Sequence, residues 1–169
     1  MNKKIDDNMF KIITSWGIPD IEELRNKKLK FVFNSDEISN VGECYKDLRC
    51  EEKEVKYCIY DYENEKIIFS MEFFEGNYRI QLLRNNPPHI KLELLNVNDY
   101  ELRKKGIASY YIRKLQEYAI KKKYSYIEVN PCPNADIFKE DNKKNSLSKK
   151  KLIKFYKGKS IEQMPIIVK

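Results

Sequence analysis

The sequence predicts an α/β fold, α+β-like in character, with a mixed and mostly antiparallel central sheet, and three observations carry that expectation. Between residues 30 and 97, aromatic and β-branched runs recur with partial alternation. At Gly106 the apolar spacing changes from a strand period to a helical one. A further strand-like run, "YSYIEVN" (124–130), follows that helix, so residues 89–130 read as strand, helix, strand. Such a unit is normally right-handed with parallel strands.

From the N-terminus, Ile5, Met9, Ile12 and Ile13 have helical spacing and predict a helix over 2–15, ended by Gly17 and Pro19. Asp20 is placed to cap a second short helix, "IEELRNKKL". Strands are expected at "KFVFN" (30–34), "VKYCIYDYE" (55–63), "KIIFSMEFFE" (66–75), "NYRIQLLRN" (77–85) and "HIKLELLNV" (89–97). Asn64-Glu65, Gly76-Asn77 and Asn86-Pro87-Pro88 mark the turns, and His89 reads as a turn residue after the prolines. The intervening "SDEISNVGECYKDLRCEE" fits loop or helix equally well.

After Gly106, Ala108, Tyr111, Ile112, Leu115, Tyr118 and Ala119 form an apolar stripe opposite Arg113, Lys114, Glu117 and Lys121. Residues 134–146 are polar and read as a surface loop, Ser148 as the N-cap of a helix "KKKLIKFYK", and "MPIIVK" as a last strand. With no repeat and no linker, residues 1–169 read as a single domain.

Composition narrows the function classes. Apolar residues are 41% and charged residues 35%, a globular balance, and the formal charge of +7 favours an anionic partner such as nucleic acid, anionic lipid or a phosphorylated cofactor. No run reaches the roughly 20 apolar residues of a membrane span, and Asp6 and Asp7 stand where a signal peptide would be apolar. A cytoplasmic protein with no membrane partner is therefore expected. Its cysteines, Cys44, Cys50, Cys58 and Cys132, would be reduced thiols, and their spacing with one histidine matches no zinc pattern, so no metal is expected. A cysteine hydrolase using His89 and Cys132 lacks anything to position the pair.

The chemistry is concentrated in Arg103-Lys104-Lys105-Gly106-Ile107-Ala108. A loop running from a strand into a helix gathers unpaired N–H groups and the positive end of the helix dipole. Gly106 and Ala108 keep that approach thin and three cations precede it, which suits a pyrophosphate. The G-x-G-x-x-G glycines are absent, and in "KGKS" (157–160) Ile153 stands where the first glycine of a Walker A loop belongs. Against the cradle stand plainer readings: a small residue opening a helix, and a solvated basic run.

This combination resembles the GNAT superfamily of acyl-CoA-dependent N-acetyltransferases, whose signature is Arg or Gln, two variable residues, Gly, one variable residue, then Gly or Ala. Phe155-Tyr156 is similar to the family's aromatic-Tyr pair on the helix after the next strand. The resemblance covers about residues 89–157 and implies a GNAT-type mixed, mostly antiparallel sheet with helices on both faces and a splayed parallel strand pair. It implies acetyl-CoA as co-substrate, with its pyrophosphate on residues 103–108 and its thioester carbonyl near the backbone of Leu95 or Val97. Tyr156 would protonate the leaving thiolate. Glu93 would deprotonate the incoming amine, with Glu128 or a water chain as alternatives. Tyr156 reads equally as a core tyrosine, and Glu93 as a solvent-facing strand residue. The acceptor would be a small-molecule or peptide amine. The chain departs from the family in a longer Val97–Arg103 spacing, an insertion around 134–146, Gly158-Lys159-Ser160 in place of Gly-Phe, and a short C-terminal segment. A non-catalytic acyl-CoA-binding module of the same fold, or a basic nucleic-acid-binding surface along "FKEDNKKNSLSKKKLIKFYKGK", is the alternative.

Overall fold

The computed structural model describes residues 4–39, 42–133 and 143–169, with backbone alone for Cys44 and Tyr78. The strands are β1 (Leu29–Val32), β2 (Arg49–Cys50), β3 (Glu54–Asp61), β4 (Lys66–Glu75), β5 (His89–Val97), β6 (Tyr126–Val129) and β7 (Ile166–Val168). They form one mixed sheet in the order β1-β3-β4-β5-β6-β7, with β2 pairing the start of β3. The pairs along β1-β3-β4-β5 and β2–β3 are antiparallel, whereas β5–β6 and β6–β7 are parallel. The helices are α1 (Asp7–Ser15), α2 (Glu22–Arg25), α3 (Tyr78–Leu83), α4 (Ile107–Lys121) and α5 (Lys149–Lys159).

Register decides which side chains share a face. Phe69 opposes Val97, Met71 opposes Leu95, Phe73 opposes Leu92 and Ile90 lies beside Ile127, so these residues line one face. The buried sides of α1 (Met9, Ile13), α4 (Tyr111, Ile112, Leu115) and α5 (Tyr156) join them in a single hydrophobic cluster. Tyr111 stacks on Phe69 with centroids 4.5 Å apart and donates its hydroxyl to Gly17 O at 2.9 Å, which fixes α4 to the turn after α1. On the opposite face Val32, Leu48, Cys58 and Tyr60 form a second cluster under 3-10 helices at Ser35–Glu37 and Glu43–Tyr45. Helices thus lie on both faces, α-helices on one and short 3-10 helices on the other.

Three local expectations change. Residues 77–85 are not a strand: Asn77 accepts hydrogen bonds from Arg79 N and Ile80 N and starts α3. β4 and β5 pair directly with each other, so the segment between them has no free edge to join. The helix after Asp20 stops at Arg25, because Leu29 is drawn into pairing with Asp61; Asp20 does not cap it but bonds Arg25 Nε at 2.8 Å. His89 is not a turn residue. It begins β5, is buried, stacks on Tyr126 and places Nε2 3.1 Å from Glu128. Much of the expected loop at 134–146, residues 134–142, lies outside the described residues.

Glu75, at the end of β4, is buried and accepts hydrogen bonds from Tyr118 and Tyr124, each at 2.8 Å, which tie the sheet to the end of α4 and the approach to β6. Burial raises the phenols of Tyr57, Tyr111, Tyr118, Tyr124 and Tyr156 above the ordinary 10.0. Their folded values exceed the unfolded ones, so their contribution to stability is complete below about pH 10 and is lost as pH rises through the folded values. In an alkaline titration followed by phenolate absorbance, these five of the twelve tyrosines should ionise only as the chain unfolds. Ionisation of all twelve with native circular dichroism retained would contradict the packing described.

Candidate functional site

The parallel pair β5–β6 is paired only from His89–Tyr126 to Leu92–Val129. Beyond Leu92, β5 continues to Val97 against β4 alone. The β4–β5 register also slips there: Phe73 opposes Leu92 and Glu72 opposes Leu94, leaving Glu93 as the extra residue of a β-bulge. A bulge bends its strand and increases the local twist, which turns the free half of β5 away from β6. Into that gap opens a cavity of about 670 Å³.

The strand wall is Leu95, Asn96 and Val97. The floor toward α4 is Arg103, Lys104, Gly106, Ile107, Ala108 and Ser109, and the far wall is residues 143 and 145–149 with Leu152, Phe155 and Tyr156 of α5. Between Val97 and Arg103, Asp99 caps a 3-10 turn, Tyr100–Leu102, by accepting from Glu101 N at 3.0 Å. That turn accounts for the long spacing in the sequence. Arg103 then braces the cavity: Nε donates to Val97 O and a terminal nitrogen to Lys144 O, both at 2.9 Å. Asn145 donates to Tyr100 O at 3.2 Å, and Lys143 to Pro133 O at 2.8 Å.

The loop then bends through two left-handed residues, Lys104 at φ 63° and Gly106 at φ 92°. Gly106 is the N-cap of α4 and offers no side-chain hydrogen bond, while its carbonyl accepts from Tyr110 N at 3.0 Å. The N–H groups of the first turn, Ile107 to Ser109, are therefore left to point outward at the positive end of a 15-residue helix. A second N-terminus, that of α5, opens on the same cavity. Ser148 caps it by accepting from Lys151 N at 3.4 Å, yet Lys149, Lys150 and Lys151 fill its first turn, where the dipole disfavours cations. Among the described residues the lining contains no carboxylate. An anion entering here meets N–H donors, two dipole ends and lysines.

The lining also carries apolar side chains, Leu95, Val97, Leu152 and Phe155, with Tyr156, whose ring packs edge-on against Phe155. Tyr156 is 6% exposed, and burial holds its phenol above the ordinary range, so the hydroxyl stays protonated at neutral pH. It makes no hydrogen bond to the described residues and lines the cavity.

Of the residues singled out in the sequence, the structure brings Leu95, Val97, Arg103, Lys104, Gly106, Ile107, Ala108 and Tyr156 to this one cavity. Two stand apart. Lys105 lies outside the lining, with Nζ 3.4 Å from Glu23. Glu93 is exposed on the bulge and does not line the cavity, since the extra residue of a bulge is turned out of the pairing pattern. Glu128, the alternative, faces His89. The far wall at 143–149 escaped sequence reasoning. Its one signal was Leu147, an apolar residue in a polar run just before the Ser148 cap. Among the described residues no three His, Cys, Asp or Glu side chains gather as metal ligands.

Comparison with protein-family models, with curated proteins and with solved structures finds no match to this chain.

A Cβ built on Gly106 meets no atom within 4 Å, so space does not require glycine here; the positive φ does. Gly106→Ala should lower unfolding stability by about 1–2 kcal/mol with no change in fold, measured by urea denaturation. An unchanged midpoint would mean that the loop is not held in the left-handed conformation.

Proposed function

We propose that the chain is an acyl-CoA-dependent N-acyltransferase of the GNAT type, and that the cavity holds the acyl-CoA. The observation that carries this reading is the meeting of two unlike features in one cleft: the cation-flanked N-terminus of α4, and apolar side chains with a neutral Tyr156 that no described residue hydrogen-bonds. Acetyl-CoA has the matching polarity, with phosphates at one end, an amide-bearing arm between, and a thioester at the other. The first-turn N–H groups of α4 and Lys104 receive the pyrophosphate, and Arg103 holds the two walls at the spacing it needs. The half of β5 beyond Leu92, with no strand partner on its outer edge, runs beside the arm and offers backbone groups near Leu95–Val97 to the thioester carbonyl.

In the reaction a neutral amine attacks the thioester carbonyl. The C–N bond forms, the C–S bond breaks, and the Tyr156 hydroxyl gives its proton to the departing sulfur. The proton lost by the nitrogen returns to the phenolate through water. Water takes this role because neither Glu93 nor Glu128 lines the cleft. A binding module that holds acyl-CoA without turnover would share the first half of this account and lack the last step.

The test is calorimetric titration with acetyl-CoA. The wild type should bind in the micromolar range, and Gly106→Glu, which sets a carboxylate in the anion path, should not bind while remaining folded. Tyr156→Phe should bind within about twofold of wild type but lose roughly 10²–10⁴-fold in transfer rate, followed as thiol release with a panel of amines. A folded wild type that does not bind acetyl-CoA would overturn the reading and leave the basic surface as the functional feature.

A further inference from the structure

At the end of the sheet remote from the cavity, α3 sits between β4 and β5. It is built to be held in place. Gln81 bonds the start of β5 in both directions, donating to His89 O at 3.4 Å and accepting from His89 N at 3.1 Å. Gly76 makes room for it, since a Cβ there would lie 2.2 Å from Gln81 Nε2. So fixed, the helix turns its aliphatic side chains outward: Leu83 is 84% exposed, Leu82 50% and Ile80 47%. Among the described residues nothing covers them, and burying them internally would have been the ordinary solution.

Cations surround these residues. Arg79 and Arg84 flank them on α3 itself and are exposed. The α4–β6 corner carries exposed Lys121, Lys122 and Lys123, and it lies at the same end because Ser125 N donates to Pro88 O at 2.7 Å. Of the exposed carboxylates near this end, Glu51, Glu52 and Asp7 belong to the β2–β3 corner and the start of α1, on the other side of α3 from the lysines, while Glu162 precedes β7 and Glu117 lies one turn before Lys121.

We propose that this end docks peripherally on an anionic lipid bilayer, with Leu82 and Leu83 entering the headgroup layer and the flanking Arg and Lys side chains meeting acidic headgroups. The combination of aliphatic tip and basic collar is what an anionic interface rewards, since apolar burial and charge attraction add there. Nucleic acid would satisfy the cations but has nothing for three bare aliphatic side chains. A second copy of the chain, related by a two-fold axis through the leucines, would gather Arg79, Arg84 and their equivalents, four like charges, into one contact. Among the described residues no helix is long and apolar enough to cross a membrane, and such a contact needs no span. Docked this way, the cavity at the opposite strand ends faces the aqueous phase. This inference is independent of what the cavity binds.

Vesicle co-sedimentation at low ionic strength tests it, using vesicles of phosphatidylcholine alone and of a roughly 3:1 mixture with phosphatidylserine. The wild type should partition onto the mixed vesicles and not onto the neutral ones. The exposed double variant L82S/L83S should lose at least about tenfold in partition coefficient. R79S and R84S should each lose about fivefold, with the loss masked by salt. In L83W, the new indole should blue-shift with mixed vesicles over the constant signal of buried Trp16. No partition of the wild type, or partition that L82S/L83S leaves unchanged, would overturn the proposal. So would a wild-type dimer in sedimentation equilibrium that L82S/L83S converts to monomer, since the leucines would then belong to a self-contact.

Discussion

One strand, β5, has two partners for its first half and one for its second, and the candidate site depends on that change. Up to Leu92 it is clamped between β4 and β6; beyond Leu92 only β4 remains. The bulge at Glu93 bends the strand at the point where the second partner is lost. A strand edge released in the middle of a sheet must find a new use for its backbone groups or leave them to solvent and ligand. Here it forms the wall of a cavity, and every other wall is placed by the chain that leads away from it. The Asp99-capped turn carries the chain to Arg103, and Arg103 reaches back to Val97 O and across to Lys144 O.

The charges divide in a consistent way. Lys56, almost fully buried, bonds Asp47 at 2.6 Å, while Arg49 reaches Glu72 at 2.5 Å and Glu54 at 2.7 Å, a closed set on the sheet face away from the long helices. Buried sets of this kind fix geometry, since breaking one pair leaves a charge uncompensated. The cavity is the reverse. Among the described residues its lining has lysines and helix N-termini with no carboxylate, and the first turn of α5 carries three lysines that its dipole disfavours.

Legibility in the sequence followed the range of the interactions. Helix α4 was readable because its stripe repeats within a few residues, and the Arg103–Ala108 loop because its cations and glycine are contiguous. The segment 77–85 was misread because its apolar and polar residues fit a strand as well as a helix. Asn77 as an N-cap was the local sign that should have decided it. Glu93 could be placed on a strand but not on a bulge, since a bulge is a property of two strands in register. Lys105 could be placed in the loop, but its direction depends on Glu23, which is far away in the chain.

By itself the sequence determined most of the elements and their order, though not the helix at 78–83, together with the basic loop at a helix start and the presence of an aromatic pair on the last helix. These are set by nearest neighbours, spacing and charge along the chain. Only the tertiary structure decided that Tyr156 lines the same cavity as Gly106, that residues 143 and 145–149 line it too, and that Glu93 stays outside. Each of those facts is a distance between residues far apart in sequence. Such distances come from strand order, register and side-chain packing, which no local pattern encodes.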